Sequence, residues 1–207
     1  MWPKAYKPLL IILSVACVSR AAYNFFKHKK KVKNHVPKEI HDVLFFASGT
    51  DELRKSKYSR CMISKSMDKL LTFMDQTRYT IDICMYVITN VDLVNAILKL
   101  HFRGIKIRVI VDADMAFSSG SNIRRLEKHG IPVRWMKSTN LMHHKFCIVD
   151  ACVEESVTPF LITGSLNWTN QALCGNWESV VVTSQSELVK GFLEGFELLW
   201  EAFKPIV

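Results

Sequence analysis

The sequence predicts an α/β sandwich, a mixed central sheet flanked by helices. Three observations carry this. Short apolar or alternating runs that read as strands recur between residues 43 and 184, with amphipathic runs at helical spacing between them. The chain closes on "SELVKGFLEGFELLWEAFK" (186–204), apolar at 188, 192, 193, 196, 199, 200 and 203, a stripe that faces a core. Its 207 residues are 49% hydrophobic, enough for one domain with a short appendage.

The appendage comes first. "PLLIILSVACVSRAAYNFF" (8–26) is interrupted strongly only by Arg20 and Asn24. A bilayer core of ~30 Å needs about 20 helical residues, so this run is just long enough to span. "KHKKKVK" (27–33) follows it, against only Lys4 and Lys7 on the other flank. Basic flanks stay cytosolic, which places the rest of the chain in the cytosol. A cleaved secretory signal is disfavoured because the heaviest charge follows the apolar run and no small-x-small cleavage site comes after it. Two segments are therefore expected: an N-terminal transmembrane anchor with its basic flank (1–33) and a folded domain (34–207).

Within the domain, residues 34–42 read as a linker broken by Pro37. "VLFF" (43–46) is a strand, and "GTDELRKSKYSR" (49–60) is polar and irregular. "SMDKLLTFMDQ" (66–76) is an amphipathic helix with Ser66 as its expected N-cap. "YTIDICMYVIT" (79–89) is a strand. The next helix opens at Asn90 and stops at Gly104. "IKIRVIVD" (105–112) alternates as a strand should. A loop (113–120), a helix (121–129) and the strand "IPVRWM" continue the pattern, followed by strands at 141–149, 160–164 and 178–184. No internal repeat is visible.

Charge and cysteines bound the partners and the compartment. Against 19 acidic residues stand 28 Lys and Arg, a net charge of +9, which favours an anionic partner such as nucleic acid or an acidic membrane surface. The six cysteines (17, 61, 84, 147, 152, 174) form no Cys-x-x-Cys pair, and Cys84 and Cys147 sit in apolar runs. That pattern suits a reducing compartment without a disulfide framework.

The chemistry concentrates in "LMHHKFCIVD" (141–150). Side chains alternate along a strand, so His143 shares a face with Lys145 and Cys147, while His144 joins Met142, Phe146 and Ile148. Downstream, "TGSLNWT" (163–169) follows an apolar strand. Gly164 permits close backbone approach. Ser165 and Asn167, two apart, can aim at one point. Lysine ammonium, serine hydroxyl and asparagine amide are all donors, and converging donors bind an oxyanion such as phosphate. A neutral imidazole beside them is a competent nucleophile toward phosphorus.

His143-x-Lys145-x4-Asp150 followed by Gly164-Ser165-x-Asn167 resembles the signature of the phospholipase D superfamily. "NLMHHKFCIVD", "TGSLNWT" and "GNWES", with the anchor, resemble its Zucchini family of mitochondrial, single-motif members. The resemblance implies a phospholipase D-like sandwich in which His143 forms a phosphohistidine. Lys145 and Asn167 clamp phosphate, with Ser165 in the same pocket. Glu178 hydrogen-bonds the histidine ring and fixes its tautomer. Asp150 completes the catalytic motif in a supporting role.

Cleavage through a phosphohistidine needs a second group to protonate the leaving oxygen. Superfamily enzymes use the histidine of a second motif, which this chain lacks: His28-Lys29-Lys30 has no matching Asp, and His101-Phe102-Arg103 does not fit. The expected solution is a two-fold homodimer sharing one active site. No cofactor and no metal are expected. Relatives often carry a Cys/His zinc-binding insertion after the first strand. Residues 49–66 here hold one cysteine and no histidine, too few for a site that needs about four ligands.

The resemblance implies an endoribonuclease acting on single-stranded RNA, generating piRNA 5′ ends at the mitochondrial outer membrane. The alternative is a cardiolipin hydrolase producing phosphatidic acid there. An inactive scaffold is disfavoured because no motif residue is missing. Basic residues that could form an RNA groove are Lys55, Lys57, Arg60, Lys65, Arg103, Lys106, Arg108, Arg124, Arg125, Lys128, Arg134 and Lys137. A lipase needs an apolar mouth, and no exposed apolar loop is expected beside the motif. The nearest candidate is 112–121, with Met115 and Phe117.

Overall fold

The structure, a computed structural model, describes residues 19–20, 39–47, 52–151 and 157–204. The chain divides into two compact units, Met1–Pro37 and Lys38–Val207. Only the helical pair Ser19–Arg20 is described in the first unit, so the expected anchor otherwise lies outside the described residues. Among the described residues no helix is long and apolar enough to cross a membrane.

The second unit is built on a seven-stranded sheet in the order β1-β9-β8-β7-β4-β5-β6. Its strands are β1 (His41–Phe46), β4 (Thr80–Met85), β5 (Lys106–Val111), β6 (Val133–Arg134), β7 (Lys145–Val149), β8 (Phe160–Gly164) and β9 (Glu178–Thr183). From β1 through β4 all neighbours are antiparallel, and β4-β5-β6 are parallel. This is the mixed sheet expected from sequence. The stretch expected to be irregular carries a small hairpin of β2 (Leu53–Arg54) and β3 (Ile63–Ser64).

Helices α1 (Lys65–Asp75), α2 (Val91–Phe102), α4 (Ile123–Lys128) and α5 (Asn170–Cys174) supply buried residues to the core on one face of the sheet. The last helix, α6 (Ser186–Ala202), packs on the other. Strand β7 shows the division. Phe146 and Ile148 join the α6 side, and Cys147 and Val149 the opposite side, as alternation requires.

Helix ends follow local chemistry. Asn90 caps α2 by accepting from the Leu93 N–H at 3.0 Å, and Gly104 ends it at φ 83°. Ser66 is not the cap of α1: Ser64 accepts from the Met67 N–H, while Ser66 Oγ reaches back to the Phe45 carbonyl. The helix thus begins one residue before Ser66. Along α6, Val189 is buried and Leu188 exposed, so the stripe begins one position later than the pattern suggested. The loop after β5 holds a short α3 (Ala113–Ala116), capped by Asp112.

Candidate active site

The register gathers the motif at one edge of the sheet. Met85, at the carboxyl end of β4, pairs with Lys145 at the start of β7. Phe146 pairs with Thr163, and Gly164 with Val180. His143, Lys145, Ser165 and Glu178 therefore lie where β4, β5 and β8 end and where β7 and β9 begin. Ligands of α/β sheets bind outside the carboxyl ends of parallel strands, here β4 and β5.

Ladder pairing of β7 begins only at Lys145, so the expected strand 141–149 is four residues too long. Residues 141–144 are tied down differently. The Met142 N–H donates to Asp112 Oδ2 at 3.0 Å, and the Tyr86 N–H donates to the His144 carbonyl at 2.9 Å. Beneath them, Cys84 Sγ contacts Met142 Sδ at 3.4 Å. The split of the histidines survives. The His144 ring meets Phe146 at 5.9 Å, whereas the His143 ring meets Tyr86 at 4.7 Å between centroids.

Lys145 Nζ lies 3.2 Å from Nδ1 and 3.3 Å from Nε2 of His143, and donates to the His143 carbonyl at 2.9 Å. Partial burial pushes the Lys145 ammonium below the ordinary lysine range, and the Glu178 carboxylate pulls the other way. An ammonium short of counter-charge is ready for an anion.

Across the sheet edge, Ser165 Oγ donates to Glu178 Oε2 and accepts from the Ser179 N–H at 3.1 Å. Asn176 Nδ2 donates to Glu178 Oε1 at 2.9 Å. Both carboxylate oxygens are thus engaged, and neither bonds the His143 ring. The expected Glu178–histidine contact is replaced by a Ser165–Glu178–Asn176 chain. Asn167 makes no side-chain hydrogen bond among the described residues, and its Oδ1 is buried without a partner. The group left to meet an anion is the amide nitrogen Nδ2, a donor, since Oδ1 can only accept.

Asp150 is not in the site, which corrects its place in the expected catalytic set. It follows β7 at the opposite edge, about 17 Å of strand away at ~3.4 Å per residue. It is 1% exposed and adopts φ 55°. Its Oδ1 accepts from the Tyr79 N–H at 2.8 Å and the Thr80 N–H at 2.9 Å, and its Oδ2 from the Arg78 N–H at 3.0 Å. It fixes the entry into β4 and through it the register of the site strands.

The expected basic groove is also redrawn. Arg108 is held by Asp82 and Glu197 and stacks on Phe196 and Trp200. Arg134 donates to the Trp200 carbonyl. Arg103 pairs with Asp75, Lys57 approaches the same carboxylate at 3.5 Å, and Arg125 bonds Asn95. Lys106 pairs with Thr80 at the edge away from His143. Lys55, Arg60, Lys65 and Lys128 have no side-chain partner among the described residues, and neither do Arg124 and Lys137. Both follow segments that end at the His143 edge: Asn122 binds the Ile88 and Thr89 carbonyls, and Lys137 follows β6.

Apolar side chains stand beside the motif after all. Leu141, two residues before His143, is 60% exposed, and Trp177, next to Glu178, is 76% exposed. Phe117 is exposed too and packs edge-on to Trp135. No group of three or more His, Cys, Asp or Glu that could hold a metal occurs among the described residues.

Sequence reasoning missed Tyr86, Asp112 and Asn176. Tyr86 and Asp112 directly follow β4 and β5, and polar residues at such positions are a readable signal. Asn176 lies in "GNWES", but no spacing there assigned it a role.

Residues 70–200 match the family model described as a cardiolipin synthase, PLD-like domain. The chain is 42% identical over 140 residues to the mitochondrial cardiolipin hydrolase of Homo sapiens, covering 68% of this chain and 53% of that protein. It is 39% identical over 139 residues to the protein of the same name in Chlamydomonas reinhardtii, covering 67% and 59%. The chain thus spans a little over half the length of these relatives. Among solved structures, the phospholipase D family member Nuc from Salmonella typhimurium superposes with a TM-score of 0.65 at 22% identity, covering 81% of this chain and 97% of that one, a likeness of fold.

Proposed function

Because the chain belongs to the phospholipase D superfamily, we propose that it hydrolyses phosphodiesters through a phosphohistidine at His143, and that its substrate is single-stranded RNA. The observation that carries the chemistry is the His143–Lys145 contact, with nucleophile and anion-binding ammonium 3.2 Å apart at an exposed sheet edge.

In the first step a His143 ring nitrogen attacks phosphorus. The N–P bond forms as the bond to the leaving oxygen breaks, and that oxygen takes a proton. Lys145 and Asn167 hold the non-bridging oxygens, where charge develops in the transition state, while Ser165, whose hydroxyl hydrogen is given to Glu178, lines the same pocket. In the second step water attacks phosphorus, the N–P bond breaks, and a phosphomonoester and the free histidine result.

The proton donor comes from a second copy. Among the described residues, His144 turns toward Phe146, His41 starts β1 opposite Thr183 at the far edge, and His101 and His129 flank Phe102. None faces His143. A two-fold homodimer placing two His143 side chains across one groove completes the acid–base pair.

RNA as substrate is supported by the unpaired Arg124 and Lys137 on the His143 side and by exposed Trp177, since single strands bind basic grooves with aromatic stacking platforms. A second reading, cardiolipin hydrolysis, is favoured by the name of the relatives and by the apolar Leu141 at the mouth. The apolar run 8–26 and the mitochondrial relatives support attachment to the mitochondrial outer membrane with the domain in the cytosol.

The deciding experiment assays purified domain on single-stranded RNA and on cardiolipin vesicles, with His143→Asn as control and with and without EDTA. His143-dependent RNA cleavage surviving chelation is expected. Cardiolipin hydrolysis without RNA cleavage replaces the first reading by the second.

A further inference from the structure

Tyr86 has no task in the chemistry above, yet it touches both principal groups. Its backbone N–H is fixed to the His144 carbonyl at 2.9 Å. Its ring, half-buried, meets the His143 imidazole at 4.7 Å between centroids with the planes tilted by 58°. The Lys145 ammonium stands 5.4 Å from the same ring centroid. No hydrogen bond engages the Tyr86 hydroxyl among the described residues, so the contacts belong to the ring.

The need for such a ring follows from the backbone. His143 precedes the ladder pairing of β7 and is exposed, so neither strand neighbours nor core packing fix its side-chain torsions. Glu178, the carboxylate expected to orient it, is occupied by Ser165 and Asn176. An aromatic ring beside the imidazole restricts the rotamers that sequence would assign to a carboxylate partner. The same ring attracts the Lys145 cation through its quadrupole.

We propose that Tyr86 is a positioning residue whose ring, rather than its hydroxyl, holds His143 and Lys145 together so that imidazole and ammonium meet one phosphate. This rests on His143 as nucleophile. A misplaced nucleophile loses chiefly in the chemical step, since a displacement of ~1 Å costs about 100-fold.

The test compares Tyr86→Phe and Tyr86→Leu in the full chain on a small chromogenic phosphodiester. The Phe variant is expected within about twofold of wild type. The Leu variant is expected to lose at least ~10-fold in kcat with KM changed less than about threefold. The Lys145 side chain is titrated by NMR in free protein. The titratable groups facing it are His143 and Glu178, the same in both variants. Loss of the ring removes a cation–π contact, so Lys145 in the Leu variant should deprotonate about half a pH unit lower than in the Phe variant. A Leu variant with wild-type kcat, or with an unmoved Lys145 titration, overturns the proposal. A Phe variant as impaired as Leu assigns the role to the hydroxyl and also overturns it. Should the Leu variant fail to fold, the ring-current displacement of the His143 ring protons decides: its absence in wild type and Tyr86→Phe overturns the proposal, its presence in both supports it. If wild type cleaves no phosphodiester at all, the proposed function fails, and the titration and ring-current readouts still decide the role of Tyr86.

Discussion

Gly164 and Ser179 approach so closely that a Cβ placed on Gly164 would stand 2.0 Å from the Ser179 carbonyl oxygen. That oxygen also accepts from the Ser165 N–H at 3.0 Å, so the approach is what seats Ser165 beside Glu178. Gly164→Ala therefore has to displace backbone rather than a side chain. We expect a loss of stability of roughly 1–3 kcal/mol, the range for overpacking, together with loss of phosphodiesterase activity. Denaturant unfolding and an activity assay on the same preparation check both.

Asp150 acts on the fold at a distance from the chemistry. Asp150→Ala strands the backbone N–H groups of Arg78, Tyr79 and Thr80. These donors are only part-buried and water can reach them, so the variant should lose roughly 1–3 kcal/mol, the cost of about one unpaired buried donor rather than three. Asp150→Asn keeps an acceptor and a side chain that tolerates φ 55°, and should lose less. Wherever the Asn variant remains folded, its activity should stay within about threefold of wild type, since no Asp150 atom nears the phosphate site. A folded Asn variant without activity would return Asp150 to the catalytic set.

The two histidines separate cleanly. His143→Asn should abolish turnover with the unfolding midpoint little changed, because the ring is exposed and meets only Tyr86 and Lys145. His144→Asn should retain most activity, because its ring contacts Phe146 rather than Lys145. Matched kinetic and melting measurements on the pair decide. An inactive His144 variant beside an active His143 variant would reverse the assignment.

Lys145 predicts the alkaline limb of activity. Its ammonium is the form that binds phosphate, and burial holds its pKa below 10.5. For the free enzyme, kcat/KM should therefore fall at a pH below the ordinary lysine range. The sign separates this from unfolding. A lysine whose folded pKa is lowered destabilises the fold while charged, so its contribution improves as pH rises through that lowered value. Activity should thus be lost while the domain stays folded by circular dichroism. Lys145→Arg, permanently charged, should lower the maximum and move the limb upward.

How much was legible in the sequence follows the range of the interactions. Alternation correctly divided His143 from His144, and the Gly-Ser-x-Asn spacing located the close approach at Gly164, because both are set within a few residues. Helix caps were legible at Asn90. Ser64 and Ser66 are both capping residues two apart, and only the Phe45 carbonyl, in a distant strand, decides between them. The role of Asp150 was hidden for the same reason: its three donors lie about 70 positions upstream. The basic groove was the least legible part. Arg108 and Arg134 read as surface charge, yet α6 brings Glu197 and the Trp200 carbonyl to them, and no local pattern reports a partner nearly 90 or 66 residues away.

That correction makes the substrate prediction sharper. If RNA is held along its backbone, binding should weaken with salt by a log–log slope of roughly −0.7 for each phosphate neutralised. Arg124→Glu with Lys137→Glu should then weaken RNA binding and flatten that slope, and cleavage should fall with binding. Activity on a small phosphodiester should persist, because Lys145, Ser165 and Asn167 are untouched. Arg108→Ala serves as the contrast. It leaves Asp82, 3% exposed, without its partner, and should cost about 3–5 kcal/mol of stability, as broken buried ion pairs do. At temperatures where it stays folded, its RNA salt slope should equal that of wild type. Filter binding over a salt series, with denaturant unfolding of each variant, measures all of this. A salt-independent RNA affinity in wild type, beside His143-dependent release of phosphatidic acid from cardiolipin vesicles, would move the substrate from nucleic acid to lipid and make Leu141 and Trp177 the walls of an acyl-chain mouth.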